Sequence, residues 1–230
     1  DLELLQNFAM IMSFQLAVSR LEKQEQMRQK AEFKALQFQV NPHFLFNALN
    51  TISSVCRENP RRARELLITL ADYFRYNLGN DVYMVPLEEE IGHVRDYLEI
   101  EKARFEDKLI VTYELEEDMN ILIPTLILQP IVENAVRHGR SVDGKRFVHI
   151  AVREEAERYT VKVCDKGQGF DMEVLRKLRA DEEIGKSIGL ANVHKRMKNI
   201  YGEGNGLEIE SSFGNGSCVT IYFQKGIRSE

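Results

Sequence analysis

His43 is the residue whose type and placement most favour covalent chemistry. It lies in the segment FQVNPHFLFNALN, directly after Pro42, where the spacing of apolar residues predicts a helix. His43 and Asn47 fall on the polar face of that helix, and an exposed neutral imidazole is a competent nucleophile near pH 7. The opposite face carries a predicted core stripe: Phe38, Leu45, Leu49, Ile52 and Cys56.

His43 and Pro42 could also have purely structural roles. A lone histidine is often a structural residue, and Pro42 could be a tolerated irregularity rather than a mechanical device. Pro42 leaves the carbonyl of Phe38 without its usual donor, which predicts a kink just before His43. A metal site is not favoured, because the other histidines lie in distant segments: His93, His138, His149 and His194.

A second group of candidate residues lies in ENAVRHG. Asn134 is followed at i+3 and i+4 by Arg137 and His138, so the three side chains would share one helix face. An amide oxygen can complete the ligand shell of Mg²⁺, while the basic neighbours would lie near phosphates. This pattern favours a nucleotide complexed with magnesium.

The segment DKGQG follows the strand-like YTVKVC. The carboxylate of Asp165 could accept a hydrogen bond from the amino group of adenine, while Gly167 and Gly169 let the backbone approach the base. The same carboxylate would repel the carbonyl oxygen of guanine. The pattern therefore favours ATP over GTP.

Two further segments complete this constellation. In GKSIGLANVHKRM, Gly185 and Gly189 precede a helix whose N-terminal amides could hold phosphates, and FGNG forms a tight turn into a last strand. DxGxG alone is most often a surface turn, but four segments in this order and spacing indicate a nucleotide site. The P-loop and the GxGxxG patterns are absent from the sequence.

Helices and strands must alternate to position these residues. PLEEEIGHVRDYLEIEKARF predicts a helix with three glutamates at its positive end, and PTLILQPIVENAVRHG predicts a helix closed by Gly139. Alternating apolar residues predict the strand LIVTYEL and two strand pairs, VHIAV with YTVKV and LEIES with CVTIYF. Strands packed on helices over about 150 residues predict an α/β sandwich.

The N-terminal part is predicted to be helical. A short heptad seam, for which an ordinary surface helix is the alternative, comprises Leu2, Leu5, Ala9, Met12 and Leu16. After the turn ENP, a second apolar stripe comprises Ala63, Leu66, Leu67, Leu70 and Phe74. One hairpin cannot bury its own stripes, so pairing with a second copy as a four-helix bundle is predicted.

Composition narrows the function classes. The chain has 230 residues and a net charge of −5, which gives no electrostatic case for nucleic acid or anionic lipid as the main partner. Cys56, Cys164 and Cys218 are scattered without a CxxC pair, which suits a reducing compartment and excludes a cysteine-clustered zinc site. The apolar runs fall short of the ~20 residues that cross a bilayer, and no signal peptide is evident.

FQVNPHFLFNALN resembles the phosphoacceptor box of LytS/YesM-type sensor histidine kinases. The four C-terminal segments resemble the Bergerat ATP-binding fold of the GHKL superfamily, and the resemblance covers roughly residues 33–225. It implies an α+β protein in which a helical hairpin forms a dimeric four-helix bundle before an α/β sandwich. The implied domains are a signalling helix or coiled coil (1–32), a dimerisation and phosphotransfer hairpin (33–80) and a GHKL ATP-binding catalytic domain (81–230).

The resemblance also implies roles for individual residues. His43 would take the γ-phosphoryl group of ATP and pass it to an aspartate of a cognate response regulator. Asn134 would bind Mg²⁺ and Asp165 would bind adenine. The nucleotide pocket and its mobile lid would be formed by Arg137, His138, Gly167, Gly169, Gly185, Gly189 and Leu190. By analogy with other histidine kinase branches, Asn47 at i+4 from His43 implies a phosphatase activity towards the regulator.

Three positions depart from the family pattern. Ser187 stands where most members have glycine, and Ser217 replaces a usual threonine. Phe44 follows His43, where other branches carry an acid, so the sequence does not identify a general base. Water-activating ATPases of the superfamily carry a glutamate four residues before the metal-binding asparagine, where this chain has Pro130, and this favours transfer to a side chain over hydrolysis.

Two other functions are alternatives to a protein-histidine kinase. A GHKL-type ATPase would need a glutamate at position 130, and a catalytically silent coiled-coil scaffold would need decayed nucleotide motifs, but neither feature is in the sequence. The kinase interpretation predicts a homodimer, a response-regulator partner and no nucleic acid. The chain begins at Asp1 without a methionine, so we expect an upstream membrane sensor segment and a cytoplasmic position for this portion in a bacterium.

Overall fold

A computed structural model describes residues 42–79, 83–179, 188–202, 205–212 and 214–225, together with isolated residues between 12 and 23. By their internal contacts the residues fall into two units, 1–45 and 46–230. Met12 is helical and exposed. The remaining predictions for the N-terminal segment and the lid lie outside the described residues: the rest of the heptad seam, the Phe38 carbonyl with its kink, Gly185 and Ser187.

Two consecutive helices occupy the segment that is predicted to form the helical hairpin. Helix α1 spans Pro42–Glu58 and helix α2 spans Pro60–Gly79. Asn59 forms the junction, because its N–H continues the α1 pattern to the Val55 carbonyl (2.8 Å) while its side-chain Oδ1 accepts from the Arg62 N–H (3.0 Å). Such a side-chain acceptor satisfies an N–H that the first turn of a helix leaves without a partner.

The buried stripes of the hairpin are partly as predicted. On α1 the buried side chains are Phe44, Ala48 and Ile52, whereas Leu49 and Cys56 are exposed. The buried line of the single chain lies about one residue away from the stripe centred on Phe38, and burial of Leu49 and Cys56 in a paired bundle stays a prediction. On α2 the residues Ala63, Leu66 and Leu70 are buried as predicted, but Leu67 is exposed.

The second part of the chain alternates strands and helices in one domain. Its strands are β1 (Met84–Pro86), β2 (Leu109–Glu114), β3 (Leu122–Pro124), β4 (Arg146–Glu154), β5 (Arg158–Asp165), β6 (Glu208–Ser211) and β7 (Ser217–Gln224). Its helices are α3 (Leu87–Phe105), α4 (Gln129–His138), α5 (Met172–Arg179) and α6 (Ile188–Tyr201), with a one-turn 3-10 helix at Glu106–Lys108. The predicted strands and strand pairs are confirmed.

The main sheet has five strands in the order β2-β4-β5-β7-β6. Only β2 and β4 are parallel, and the other neighbours run antiparallel. Helices α3 and α4 pack on strands β2, β4 and β5, while α6 packs on α4. The core lies between these two layers, where alternate residues of each central strand are buried: Val148, Ile150, Val161, Val163, Val219, Ile221 and Phe223. This architecture is an α/β sandwich in an α+β protein.

Helix α4 is shorter than the sequence predicts. Pro124 pairs with Met84 in the small β1–β3 ladder, and Leu126 adopts a left-handed conformation with φ of 57°. A residue in that conformation cannot continue a right-handed helix. The helix therefore begins only at Gln129, and residues 125–128 form a turn between β3 and α4.

Two of the three cysteines are bonded, which corrects the interpretation of scattered thiols. Cys164 on β5 and Cys218 on β7 face each other in register and form a disulfide, whereas Cys56 is free and exposed. The bond joins residues 54 apart in sequence, and only strand pairing brings them together. Among the described residues, no helix combines the length and the apolar content that crossing a bilayer requires.

Candidate functional site

Helix α4 carries the predicted metal-binding and phosphate-binding residues. Pro130 lies in its first turn, where the missing N–H costs nothing, and the Gly139 N–H closes its end on the Ala135 carbonyl (2.8 Å). Arg146 of β4 donates to the carbonyls of Val136 (2.9 Å) and Arg137 (3.2 Å). A cation at this end also complements the helix dipole, so α4 is firmly held at its C-terminus.

The residues of α4 and the end of β5 surround one cavity of about 100 Å³. Its lining residues include Asn134, His138, Asp165, Gly169, Phe170 and Ser217. Three of the predicted site residues from two distant segments, Asn134, His138 and Asp165, are thus brought together. The cavity has an amide, an imidazole and a carboxylate on its walls, which suits a ligand that both donates and accepts hydrogen bonds.

Asp165 is held in a fixed orientation. Its Oδ1 accepts from the Gly167 N–H (2.7 Å), and its Oδ2 accepts from the hydroxyl of Ser217 on the neighbouring strand β7. Ser217 therefore supplies a hydroxyl contact that orients the Asp165 carboxylate. Each carboxylate oxygen has a second lone pair, so Asp165 can still accept from a ligand.

Two glycines allow the turn after Asp165 to lie against α4. A Cβ atom on Gly167 would lie 2.0 Å from the His138 carbonyl oxygen, so no side chain fits at that position. Gly169 has φ of 75°, which other residues rarely adopt. The Phe170 N–H that follows donates to the hydroxyl of Ser211 (2.7 Å). The DKGQG turn is therefore locked against the cavity wall.

The electrostatics of the site favour an anion. Partial burial lowers the pKa of His138, and the positive charge of neighbouring Arg137 lowers the pKa further. His138 is therefore mostly neutral near pH 7 and acts as a hydrogen-bonding group, so the positive charge that favours an anion comes from other side chains. Next to this cavity lies a second hollow of about 390 Å³ that Arg137, Arg140 and Lys166 line.

Family models match both parts of the chain. A model described as histidine kinase matches residues 31–109, and a model of histidine kinase-, DNA gyrase B- and HSP90-like ATPases matches residues 120–227. The sensor histidine kinase YpdA of Escherichia coli K12 is 47% identical over 204 residues, which are 88% of this chain and 36% of YpdA. The sensor histidine kinase/phosphatase LytS of Staphylococcus aureus MRSA252 is 35% identical over 229 residues, which are 96% of this chain and 39% of LytS.

The chain belongs to the LytS-type sensor histidine kinases. It spans less than two fifths of the length of YpdA and of the staphylococcal LytS. Among solved structures, the catalytic domain of histidine kinase ThkA has a TM-score of 0.50 at 16% identity, covering 62% of this chain and 96% of that domain. This likeness supports the fold of the ATP-binding domain.

His43 and Asn47 both lie on α1. The side chain of His43 is exposed and that of Asn47 is half-buried, so both lie on an accessible helix face as predicted. His43 belongs to the unit of residues 1–45, and the cavity belongs to the unit of residues 46–230. Gly189 and Leu190 open helix α6, with Gly189 exposed and Leu190 buried.

Sequence reasoning missed Glu90. It was interpreted only as one of three acids favourable to the start of α3, yet Glu88 and Glu89 are exposed while Glu90 is fully buried. Burial raises the pKa of Glu90, although hydrogen bonds from Tyr76 and from backbone N–H groups oppose this effect. The signal was available, because Glu90 lies at helical spacing between buried Leu87 and Val94.

Proposed function

We propose that this histidine kinase transfers the γ-phosphoryl group of ATP to His43 and then to an aspartate of a cognate response regulator. The observation that carries the proposal is the shared cavity of Asn134, His138 and Asp165. An exposed imidazole on α1 supplies an acceptor that a docking domain can reach. Family membership gives independent support.

In this proposal Asp165 accepts a hydrogen bond from the adenine amino group, and Arg137 and the start of α6 lie near the phosphates. Asn134 can bind Mg²⁺ only if phosphate oxygens of the nucleotide complete the ligand shell of the ion. Among the described residues no group of three or more His, Cys, Asp or Glu could hold a metal. Magnesium usually combines few protein oxygens with substrate phosphates and water, and it would neutralise charge on the transferred group.

The transfer to His43 is a nucleophilic displacement. A ring nitrogen of His43 attacks the γ-phosphorus with its lone pair while the bond to the bridging oxygen breaks, and ADP leaves with that electron pair. The proton on the other ring nitrogen is then lost to solvent. Such a reaction depends mostly on positioning and on charge neutralisation, so the kinase needs no covalent intermediate in its ATP-binding domain.

We further propose that the hairpin pairs with a second copy as a four-helix bundle. Large apolar side chains on α1 and α2 are exposed in the single chain: Phe46, Leu49, Leu67, Ile68 and Leu78. Burying a leucine or phenylalanine side chain contributes about 1.5–3 kcal/mol. A homodimer would remove several of these side chains from water in each copy.

A phosphatase activity is the second candidate function. Asn47 lies one helical turn after His43, where its amide could orient a water molecule against the phosphoaspartate of a docked regulator. The staphylococcal relative carries the description kinase/phosphatase. The same α1 face would then serve both transfer and hydrolysis.

Two further proposals concern the domain boundaries and the cellular location of this portion of the protein. We propose the boundaries 1–32, 33–80 and 81–230 for the signalling helix, the phosphotransfer hairpin and the ATP-binding domain. The relatives are longer proteins described as sensors, which favours a cytoplasmic position for this portion of a membrane-anchored bacterial sensor.

The chemical nature of the bond tests the proposed reaction. The protein is incubated with γ-labelled ATP and Mg²⁺, and the label is then challenged with acid and with alkali. We expect label that acid removes and alkali does not, because phosphohistidine has this behaviour. Label with the opposite stability would indicate phosphoserine and would remove histidine as the acceptor.

A further inference from the structure

The turn of residues 125–128, which precedes α4, is held by a buried acid from another helix. Glu90 of α3 is fully buried, and its Oε2 accepts from the Leu126 N–H (2.9 Å) while its Oε1 accepts from the Leu128 N–H (3.0 Å). Leu128 is the N-cap residue of α4 and provides no side-chain cap of its own. Glu90 therefore satisfies two N–H groups at the positive end of the helix, where the first turn leaves donors without intrahelical partners.

The conformation of the turn explains why such a hold is needed. Leu126 has φ of 57°, a left-handed conformation that is strained for a residue with a branched side chain. The Glu90 carboxylate bonds to the N–H of this same residue. Losing the carboxylate would free the turn to relax, and α4 would shift with it.

Helix α2 of the hairpin reaches the same carboxylate. The Tyr76 hydroxyl donates to Glu90 Oε2 (2.8 Å), and its ring stacks on that of His93 with 4.2 Å between centroids. A second set of hydrogen bonds also connects α2 and α3 to α4. The Gln129 side chain of α4 donates to the Tyr73 hydroxyl (2.5 Å) and accepts from His93 Nε2 (2.8 Å). The hairpin is thus bonded to both sides of the start of α4.

Helix α6 reaches the turn from the other direction. Arg196 donates to the Thr125 carbonyl (2.6 Å), and its guanidinium group lies over the Tyr83 ring at 5.2 Å. Helix α6 begins at the segment whose glycines are proposed to shape the lid. The turn therefore receives contacts from the hairpin, from α3 and from α6.

We propose that Glu90 is a positioning residue that couples the hairpin to the magnesium-binding end of the nucleotide site. This inference rests on the proposed function, in which Asn134 binds Mg²⁺. Asn134 lies six residues after Leu128 on a helix of ten residues whose other end Arg146 fixes. A displacement of the N-terminal end therefore moves Asn134, while Asp165 on β5 keeps its place in the sheet.

The experiment compares nucleotide affinity with and without Mg²⁺ in the full chain. Calorimetry with a non-hydrolysable ATP analogue is carried out on wild type, Glu90→Gln and the matched control Glu88→Gln, which changes an exposed acid of the same helix turn. In Glu90→Gln we expect about tenfold weaker binding in Mg²⁺, because one of the two oxygens that accept from the turn and the helix start becomes a donor group, and a change of no more than about threefold in EDTA. Glu88→Gln should match wild type in both.

The ratio of the two affinities separates positioning from structural support. A residue that only stabilises the fold lowers Tm but leaves the ratio of the Mg²⁺ and EDTA affinities of the folded protein unchanged, and that result would overturn the inference. Asn134→Ala is measured in parallel. If Asn134→Ala also keeps the wild-type ratio of affinities, the proposed role of Asn134 in binding Mg²⁺ is wrong. If the ratio changes in Asn134→Ala but not in Glu90→Gln, only the proposed role of Glu90 is wrong.

A second variant, Tyr76→Phe, tests the connection between the hairpin and Glu90. It keeps the inference testable even if Glu90→Gln does not fold. Tyr76→Phe removes only the hydroxyl and keeps the ring stacked on His93. We expect autophosphorylation to slow by about threefold in Tyr76→Phe, and the same substitution to have no further effect in Glu90→Gln. Unchanged autophosphorylation in a folded Tyr76→Phe, or equal effects of this substitution in both backgrounds, would show that the hairpin does not act through Glu90.

Discussion

The helical hairpin and the ATP-binding domain differ in what they leave exposed. The hairpin exposes a row of large apolar side chains in 38 residues, whereas among the described residues of the domain only Val142 and Met172 are large, apolar and exposed. The domain surrounds its candidate ligand site with its own residues, including Asn134 and Asp165. The hairpin presents His43 outward. Changes in the domain should therefore act on nucleotide affinity, and changes in the hairpin on association and transfer.

The largest effect is expected at Leu67, which is 46% exposed on α2. Leu67→Asp places a charge in both halves of a symmetric bundle and removes about 1.5–3 kcal/mol of apolar burial per copy. The dimer dissociation constant should rise by about 100- to 10,000-fold, while ATP binding stays as in wild type. Light scattering at micromolar concentration should report a dimer for wild type and a monomer for Leu67→Asp.

Met172→Asp is the matched control for the bundle. Met172 is 75% exposed on α5 of the ATP-binding domain, so the variant should remain dimeric. A monomeric wild type would contradict the four-helix bundle. If Met172→Asp dissociates the dimer instead, the dimer interface lies on the ATP-binding domain and not on the hairpin.

The next effect is expected at Asp165. Asp165→Asn replaces one acceptor oxygen with a donor group, which opposes the adenine amino group and loses a charge-assisted hydrogen bond. Such a loss costs about 1.5–3 kcal/mol, so ATP affinity should fall by about 10- to 150-fold. Calorimetry on the folded variant measures this, with the exposed Asp107→Asn as control. Unchanged affinity in Asp165→Asn would remove Asp165 from the adenine site.

Asn47 tests whether the outward face of the hairpin has a second activity. Asn47→Ala should leave autophosphorylation within about threefold of wild type, yet slow dephosphorylation of the phospho-regulator by about tenfold or more, because an oriented water is lost. The measurement is loss of label from purified phospho-regulator with kinase and ADP. Asn50→Ala, on the same exposed face, serves as control. Equal decay with wild type and Asn47→Ala would leave Asn47 as a surface residue.

The smallest effect concerns the contact between α2 and α3, where Asp96 lies. Burial raises the pKa of Asp96 to about 6, and the charges of Asp72 and Glu99 add to this. Because the folded-state pKa is above the usual value, the charged carboxylate destabilises the protein above pH 6, and the cost disappears as pH falls towards 4. After allowance for solvent screening, the cost at pH 7.5 is about 1 kcal/mol.

Asp96→Asn should therefore raise Tm by about 2–4 °C at pH 7.5 and by less near pH 4.5. Thermal unfolding followed by circular dichroism at both pH values measures this difference. Asp107→Asn, which changes an exposed acid, should not shift Tm. A gain for Asp96→Asn that is equal at both pH values would exclude relief of charge as its cause.

Periodicity predicted the parts of the fold that follow local rules. The alternation of VHIAV and YTVKV places Ile150 and Val163 in the core as expected, and the i, i+3 and i+4 spacing puts Asn134 and His138 on one wall of the cavity. These features depend only on helix and strand geometry. They could therefore be derived before any tertiary contact was known.

Features that depend on tertiary contacts were missed. The start of α4 shifts to Gln129 because Leu126 is left-handed and is held by Glu90. These two residues are 36 positions apart in sequence, which is too far for any local pattern to indicate the contact. The bond between Cys164 and Cys218 similarly requires the register of two strands. Both errors arise because pairing across the sheet or between helices overrides local preference.

In the proposed reaction, ATP is bound in the domain and its phosphoryl group is accepted on the hairpin at His43. The most direct test measures binding and labelling of one variant, His43→Gln, with His149→Gln as a matched control for a partly exposed histidine on β4. We expect His43→Gln to bind ATP as wild type does and to take up no label from γ-labelled ATP, while His149→Gln takes up label normally. Acid-labile label on His43→Gln would show that another histidine is the acceptor and would exclude the proposed role of His43.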